Sequence, residues 1–149
     1  DSMKAVYLYP ATCYFEATPV SLGRGTSLPF QVYGHPNMTG YDYSFTPKSV
    51  PGAKNPPQLN KLCHGVNLSN MSDEEIWKRG VDLSYVIDAY KNLNIGDHFF
   101  RPFFELLVGT DYVRKMIIEG KSAEEIKSRW KGDVEKFKEQ RKPYLLYQE

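Results

Sequence analysis

The chain has 149 residues, a length typical of a single domain and sufficient to bury a core without disulfide bonds. Its 19 basic and 18 acidic residues leave a net charge of +1, so the balance does not indicate a nucleic-acid or membrane-surface partner. No apolar run approaches the roughly 20 residues that a membrane-spanning helix needs, and no membrane span is predicted.

Charge and proline are unevenly distributed along the chain. Residues 1–60 contain only seven charged residues, while eight of the ten prolines lie between Pro10 and Pro57. Proline lacks the N–H that a helix interior needs, so this density favours loops and short strands over long helices. The strands predicted from the apolar runs are Ala5–Tyr9, Phe30–Tyr33 and Val66–Leu68.

Three helices are predicted between residues 82 and 120 from capping residues and apolar spacing. Asp82 begins the first, which carries Leu83, Val86, Ile87 and Tyr90 at i, i+3, i+4 and i+7. Pro102 begins a short second helix that ends at Gly109, and Thr110 caps a third that ends at Gly120. The four phenylalanines around the second helix are predicted to form a core cluster: Phe99, Phe100, Phe103 and Phe104.

The last part of the chain predicts one longer helix. Ser122 and Glu125 have the spacing of a capping box, and Glu125 can pair with Arg129 at i+4. One apolar stripe follows over about four turns, formed by Ile126, Trp130, Val134 and Phe137, and Gly132 is a point where the helix can split. The closing apolar run, Tyr144–Tyr147, is predicted to dock as a strand or anchor. The predicted fold is α+β: a single compact domain with short strands and long loops in the first half and helices in the second.

The cysteines and histidines do not indicate a metal site. Cys13 and Cys63 are compatible with one disulfide bond or with two buried free thiols. No Cys/His spacing is typical of a zinc site, so no metal is predicted. The phosphate-binding and dinucleotide fingerprints are absent as well, and no cofactor is predicted.

Residues 16–26 contain polar groups that packing does not explain. Arg24 lies between Gly23 and Gly25, where the backbone can turn tightly and a ligand can approach, and arginine binds carboxylates and phosphates bidentately. Alternatively, Glu16 and Arg24 simply pair with each other in a polar turn. His35, between Gly34 and Pro36, is structural or faces a ligand. The candidate substrate-binding residues are Glu16, Thr18, Ser21, Arg24, Thr26 and His35.

These segments resemble the C-terminal half of the NamZ-type exo-β-N-acetylmuramidases, a family long known only as a bacterial domain of unknown function. The motifs that carry the resemblance span nearly the whole chain: Tyr9-Pro10, Phe15-Glu16-Ala17-Thr18, Ser21, Gly23-Arg24-Gly25-Thr26, Pro29-Phe30, Gly34-His35-Pro36, Phe45-x-Pro47, Cys63-x-Gly65-Val66, the helix end at Phe104–Gly109, and Arg141-x-x-Tyr144-Leu145-Leu146-Tyr147. Ala17 departs from the pattern, where glycine is expected between the glutamate and the threonine.

The resemblance implies that residues 1–149 are the C-terminal domain of a two-domain bacterial enzyme. Its N-terminal Rossmann-like domain would carry the catalytic glutamate, so no catalytic residue is predicted in this chain. Such an enzyme releases terminal N-acetylmuramic acid from peptidoglycan fragments. The expected partners are therefore a peptidoglycan-derived saccharide and the N-terminal domain, and the expected location is exported, periplasmic or extracellular.

Three functional hypotheses follow. In the first, the domain forms one wall of the saccharide cleft: Arg24 binds the lactyl carboxylate of muramic acid or orients Glu16, and Tyr41 and Tyr43 offer apolar faces to sugars. In the second, it is a non-catalytic module that binds glycan or protein. In the third, it is a self-sufficient hydrolase that uses Glu16; we expect no turnover by the isolated domain, because a glycosidase needs a second carboxylate at a defined separation.

Overall fold

The structure is a computed structural model that describes residues 2–147. Within them, a small antiparallel sheet and six helices form an α+β fold, as predicted. The strands are β1 (Val32–His35), β2 (Tyr43–Phe45) and β3 (Cys63–Asn67). The helices are α1 (Met3–Thr12), α2 (Asp73–Arg79), α3 (Ser84–Leu93), α4 (Phe104–Val108), α5 (Tyr112–Ile118) and α6 (Ala123–Arg141). No helix among these residues is long and apolar enough to cross a membrane.

The sheet has the order β1-β3-β2, so the last strand lies between the first two. Gly65 is opposite Gly34 of β1 and Tyr43 of β2. β1 begins two residues later than predicted because Phe30 has a φ of +62°, outside the extended region. The predicted strand Val66–Leu68 lies within or next to β3, which starts three residues earlier.

The predicted strand Ala5–Tyr9 is wrong, because this run lies inside helix α1. A short apolar run reads the same way for a buried strand and a buried helix. In the helix, Leu8, Ala11 and Thr12 share one buried face at i, i+3 and i+4. The Lys4 ammonium ties the helix to the start of α2 by donating to the carbonyls of Ser69 at 3.0 Å and Met71 at 2.6 Å.

One apolar core joins α1 to the helices of the second half. Phe15, which follows α1, stacks on Tyr33 of β1 with ring centroids 4.8 Å apart. Phe99 and Phe104 are completely buried, whereas Phe103 is 40% exposed, so the predicted phenylalanine cluster is confirmed except at that position. The Arg101 amide donates to the Ala17 carbonyl at 2.9 Å, which joins the start of α4 to the turn that carries Glu16.

The helix boundaries in the second half largely follow the predicted signals. Asn94 and Gly109 end α3 and α4 in the left-handed conformation. Helix α3 begins one residue later than predicted, with Leu83 at its N-cap, although the Asp82 carboxylate still accepts from the Ser84 amide at 2.8 Å. The predicted Thr110 cap is wrong, since α5 begins one residue later with Asp111 at its N-cap. The Asp111 carboxylate forms no cap either, because it accepts from Lys115 at 2.5 Å.

The capping box of α6 is confirmed. The Glu125 amide donates to the Ser122 hydroxyl at 3.1 Å, and the Ser122 amide donates to the Glu125 carboxylate at 2.8 Å. Glu125 pairs with Lys121 rather than with Arg129, whose guanidinium lies 5.2 Å from the Tyr112 ring centroid. The predicted split at Gly132 does not occur, since α6 runs from Ala123 to Arg141. Gly132 faces open space, where a glycine lowers the stability of a helix without ending it.

The Ser122 cap gives the first prediction. Ser122→Ala should lower the free energy of unfolding by about 1 kcal/mol, because it leaves an N-terminal amide of α6 unpaired. In a domain of this size that corresponds to a fall in Tm of roughly 2–4 °C, measurable by calorimetry. Ser128→Ala is the matched control: Ser128 lies on the same helix and its hydroxyl donates only to the Glu124 carbonyl, so its Tm should stay within 1–2 °C, or roughly ±0.5 kcal/mol, of the wild type. Equal shifts for the two variants would contradict the capping role.

Burial decides the expectations for the two cysteines and for the closing apolar run, and it places one tryptophan at the surface. Cys13 and Cys63 are both free thiols, and burial raises the pKa of Cys63 to about 11. Trp77 is not in the core: it is 62% exposed, with its ring edge-on to Tyr7 at 5.3 Å. Tyr144 is 82% exposed, so the predicted docking of the closing apolar run does not occur within residues 2–147.

Candidate functional site

Glu16 and Arg24 come together at an open surface cavity of about 390 Å³. Glu16 lies in a 3-10 turn, Cys13–Ala17, directly after α1, and Arg24 lies in the loop before β1. The rest of the cavity wall comes from Leu22 and from a second loop: Gly52, Ala53, Lys54, Asn55, Pro56 and Pro57. The cavity therefore joins three segments that are separated in the sequence.

The Arg24 loop is held in a fixed turn. Ser21 pairs with Gly34 through two backbone hydrogen bonds of 2.9 Å, which anchors the loop to β1. Gly23 and Gly25 have φ values of +79° and +83°, which only glycine adopts without strain. The Thr26 hydroxyl donates to the Gly23 carbonyl at 2.7 Å and closes the turn. Arg24 thus projects from a rigid backbone rather than from a flexible tether.

The opposite rim is tied to the same turn. The Lys48 amide donates to the Gly25 carbonyl at 2.9 Å, and the Gln58 side-chain amide donates to the Pro19 carbonyl at 2.9 Å. The space beside Gly25 is filled by the Lys48 backbone and the Pro56 ring, so a Cβ atom there would overlap both. The two loops therefore form one unit, and the cavity between them is preformed.

The Glu16–Arg24 contact is a weak ion pair. The Arg24 Nη1 atom lies 3.4 Å from Glu16 Oε1, and the two side chains are 42% and 28% exposed, in the order Arg24, Glu16. An ion pair this long and this exposed contributes between 0 and about 1 kcal/mol. Within residues 2–147 the guanidinium has no other hydrogen-bond partner, so most of its donors are unpaired within the domain. A ligand carboxylate could bind these donors at little cost in protein stability.

The three hydroxyl residues of the segment hold the loop itself. Thr18 and Ser21 are almost completely buried. The Thr18 hydroxyl donates to Phe15 O at 2.9 Å and accepts from Val20 N at 3.1 Å. Thr26 is half-buried, and its hydroxyl both closes the turn and accepts from Leu28 N at 3.0 Å. Their contact with a saccharide stays a prediction; in this structure they position Arg24.

The remaining candidates lie away from this cavity. His35 ends β1, and its Nδ1 accepts from the Asn37 amide at 3.1 Å, which stabilises the turn. Burial, followed by the charge of Lys61, lowers the pKa of His35. The Tyr41 hydroxyl donates to Asp88 at 2.7 Å, and the Tyr43 ring stacks on Phe45. None of these three side chains lines the cavity beside Arg24.

A second depression of about 250 Å³ adjoins the first on the other side of Arg24. The two share Arg24, Gly52 and Ala53, and the second adds apolar surface from Pro29, Phe30 and Val50. Arg24 thus lies where the two depressions meet, in a groove that has polar groups on one side and mostly apolar groups on the other. Such a surface suits a saccharide, which has hydroxyl edges and apolar ring faces.

The charged groups that line the groove suit the binding of a ligand rather than its hydrolysis. Glu16 is the only carboxylate among the residues that line it, whereas Arg24 and Lys54 are both cationic. Glycoside hydrolysis by a carboxylate pair needs a second acid across the substrate, roughly 5–9.5 Å away. Within residues 2–147 no group of three or more His, Cys, Asp or Glu side chains could hold a metal ion. The groove as described can orient an anionic sugar.

Sequence reasoning missed the second rim of the groove. Lys54 and Asn55 line the cavity together with two adjacent prolines, Pro56 and Pro57. The available signal was that Lys54 is one of the few charged residues in the first part of the chain. Nothing local indicated that its loop folds back onto Gly25, about thirty residues earlier.

Comparisons with known proteins identify the family of this chain. Residues 7–147 match the family model described as exo-β-N-acetylmuramidase NamZ, C-terminal. The chain is 32% identical to the peptidoglycan β-N-acetylmuramidase NamZ of Bacillus subtilis, covering 98% of this chain and 38% of that protein. It also matches the crystal structure of a DUF1343 family protein from Bacteroides fragilis, with 81% identity and a TM-score of 0.98, covering 99% of this chain and 42% of that one.

The chain thus spans about two fifths of the length of both relatives. The family match covers nearly all the described residues and includes both loops of the groove. The chain belongs to the NamZ family of bacterial peptidoglycan β-N-acetylmuramidases and corresponds to its C-terminal domain.

Proposed function

We propose that this chain is the C-terminal domain of a longer enzyme that releases terminal N-acetylmuramic acid from peptidoglycan fragments outside the cytoplasm, in the periplasm or beyond the cell. Its role is to form one wall of the saccharide cleft. The other wall, with the catalytic glutamate, belongs to an N-terminal Rossmann-like domain. The position of Arg24, at the centre of a preformed groove and with only a weak ion pair, supports this role most directly.

The substrate explains why an arginine would occupy this place. N-acetylmuramic acid differs from N-acetylglucosamine by a lactyl ether that carries a carboxylate. A guanidinium binds a carboxylate through two parallel hydrogen bonds, which fixes orientation as well as charge. On binding, the lactyl carboxylate replaces or joins Glu16 beside Arg24, and Lys54 on the facing rim adds a second positive charge.

Glu16 has a different role in this proposal. It holds the Arg24 side chain over the groove when no ligand is bound, and it accepts hydrogen bonds from sugar hydroxyls when one is. Since the groove lacks a second carboxylate, Glu16 does not form a catalytic pair within this domain. Hydrolysis therefore requires the acid supplied by the other domain.

The test is substrate discrimination by the full-length protein. Arg24→Ala should lower kcat/KM for a muramic acid glycoside by about 10- to 100-fold, the equivalent of losing a charged hydrogen bond of roughly 1.5–3 kcal/mol. Turnover of the matching glucosamine glycoside, which lacks the carboxylate, should fall much less. Arg24→Lys should recover part of the loss, because it restores the charge without the bidentate geometry.

Arg129→Ala is the matched control, since Arg129 is an exposed residue of α6 whose guanidinium lies over the ring of Tyr112 and not in the groove. It should leave both substrates unaffected. If Arg24→Ala lowers turnover of the two glycosides equally, the carboxylate role is wrong.

A second function, a non-catalytic glycan-binding module, is favoured by the fact that the groove is formed entirely by this chain. Calorimetric titration of the 149-residue chain with muropeptides separates the two proposals. Heat of binding by this chain alone supports a module, and binding only by the full-length protein supports a shared cleft. Tryptophan fluorescence is a poor probe here, because neither Trp77 nor Trp130 lines the groove.

A further inference from the structure

The apolar stripe of α6 continues beyond the core that it packs against. Ile126 is fully buried and Trp130 is half-buried against the core. The next members of the stripe, Val134 and Phe137, are 42% and 60% exposed. The spacing of four, four and three residues keeps all four side chains on one face of the helix. The same face is thus covered by this domain at its start and uncovered at its end.

The chain after α6 adds to this uncovered face. Residues 142–144 form a 3-10 turn, so Tyr144 follows Phe137 by seven residues along a nearly continuous helical path. Tyr144, Leu146 and Tyr147 are 82%, 90% and 86% exposed. We call residues 133–147 the C-terminal arm. It combines three aromatic side chains with two leucines, and most of this apolar surface is in contact with solvent.

The opposite side of the arm is polar. Lys138 pairs with Glu135 at 3.2 Å, and Lys142 pairs with Glu139 at 2.7 Å, all on the surface. The arm is therefore amphipathic, as is usual for a helix that packs against a partner along one face. An aromatic side chain buries about 150–250 Å², so the exposed apolar groups of the arm offer on the order of 700 Å² of apolar surface that a partner can bury. Interfaces between domains of one chain bury about 600–1,500 Å².

We propose that the C-terminal arm is the docking surface for the other domain of the full-length protein, which presents an apolar groove to Phe137 and residues 144–147. The proposal rests on the part of the proposed function that joins this chain to a further domain. Its occupant is argued from length: this chain accounts for 38% and 42% of the two relatives it matches, so each relative has a larger remainder that could cover an exposed apolar face. The arm would then fix the angle between the two walls of the cleft.

Hydrogen exchange measured by mass spectrometry tests this docking. Peptides that cover residues 133–147 should exchange at least tenfold more slowly in the full-length protein than in the 149-residue chain. A peptide that covers 121–130 should exchange equally in both, because that part of α6 already packs against this domain's core. Equal exchange of the arm in the two proteins would overturn the proposal. Protection in the 149-residue chain that rises with protein concentration would assign the arm to a second copy, and would overturn it as well.

A pair of leucine variants tests the contact itself. Leu146 and Leu106 are 90% and 80% exposed, but only Leu146 lies in the arm. In the full-length protein, Leu146→Ser should raise arm exchange at least tenfold, while Leu106→Ser should leave it unchanged. Neither should change arm exchange in the 149-residue chain. An unchanged arm in full-length Leu146→Ser would refute the docking.

Measuring turnover on the same proteins separates the two proposals. If the arm is protected but Arg24→Ala does not discriminate between the glycosides, only the role of the groove is wrong. If Arg24→Ala discriminates and the arm is unprotected, only the docking surface is wrong.

Discussion

Phe104→Ala should destabilise the protein by about 3–5 kcal/mol, the usual cost of removing a fully buried aromatic ring. The Phe104 side chain has no exposed surface, and its ring lies edge-on to Phe100 at 4.6 Å and tilted against Tyr14 at 6.4 Å. Because domains are stable by only about 5–15 kcal/mol, this single change removes roughly a fifth or more of the total. Urea denaturation of the 149-residue chain measures it directly.

The effect should extend to the groove. Tyr14 belongs to the same 3-10 turn as Glu16, and the Arg101 amide holds the end of that turn through Ala17. A cavity at Phe104 therefore loosens the segment that positions Glu16. Phe103→Ala is the matched control, since Phe103 is the adjacent residue but 40% exposed, and it should cost about 1 kcal/mol or less. Similar losses for the two variants would show that the ring cluster is not the core of this domain.

The second half of the chain was predictable because its signals are local. The Ser122 capping box and the left-handed residues that end α3 and α4 act over one helical turn, so the sequence contains the whole interaction. Two of the errors in this half concern a choice between local partners. Thr110 and Asp111 are adjacent candidates for the N-cap of α5, and Glu125 has a basic residue four positions away on each side, so spacing alone does not choose between them.

The first half was harder because its structure depends on distant contacts. Ala5–Tyr9 becomes a helix because Leu8 and Ala11 face a core built from later residues, and Lys4 finds carbonyl partners more than sixty residues away. Proline density suggested that helices would be short, yet Pro10 is accommodated near the end of α1. Tertiary packing overrides local preference in this region.

The candidate site was predictable in its centre and not at its edges. The two glycines around Arg24 and the nearby Glu16 indicated a tight polar turn, and the structure places those two charged groups 3.4 Å apart. Spacing did not reveal that the hydroxyls of Thr18 and Ser21 point into the backbone of the loop. Nor did it reveal the Lys54 rim, because loop-to-loop packing has no periodic signature in sequence.

The contact between the two loops depends on Gly25, which gives the second large prediction. Gly25→Ala should destabilise the protein by about 3 kcal/mol. A residue with a side chain at a φ of +83° costs about 1–2 kcal/mol, and the new Cβ would also overlap the Lys48 backbone and lie 2.8 Å from the Pro56 ring. The Lys48 backbone cannot move aside without breaking its 2.9 Å hydrogen bond to the Gly25 carbonyl. Thermal unfolding should therefore show a fall in Tm of roughly 6–12 °C.

Gly52→Ala is the matched control, because it replaces a glycine on the same groove without disturbing the contact between the two loops. Gly52 lines the same groove, but a Cβ there would meet nothing within 4 Å. Its Tm and its turnover of muramic acid glycosides in the full-length protein should match the wild type, because the groove keeps its shape. Gly25→Ala should lose most of that turnover even at temperatures where it stays folded, since the facing rim with Lys54 moves away from Arg24. If Gly25→Ala is as stable and as active as Gly52→Ala, the two loops do not form the preformed groove on which the proposed orientation of the substrate by Arg24 depends.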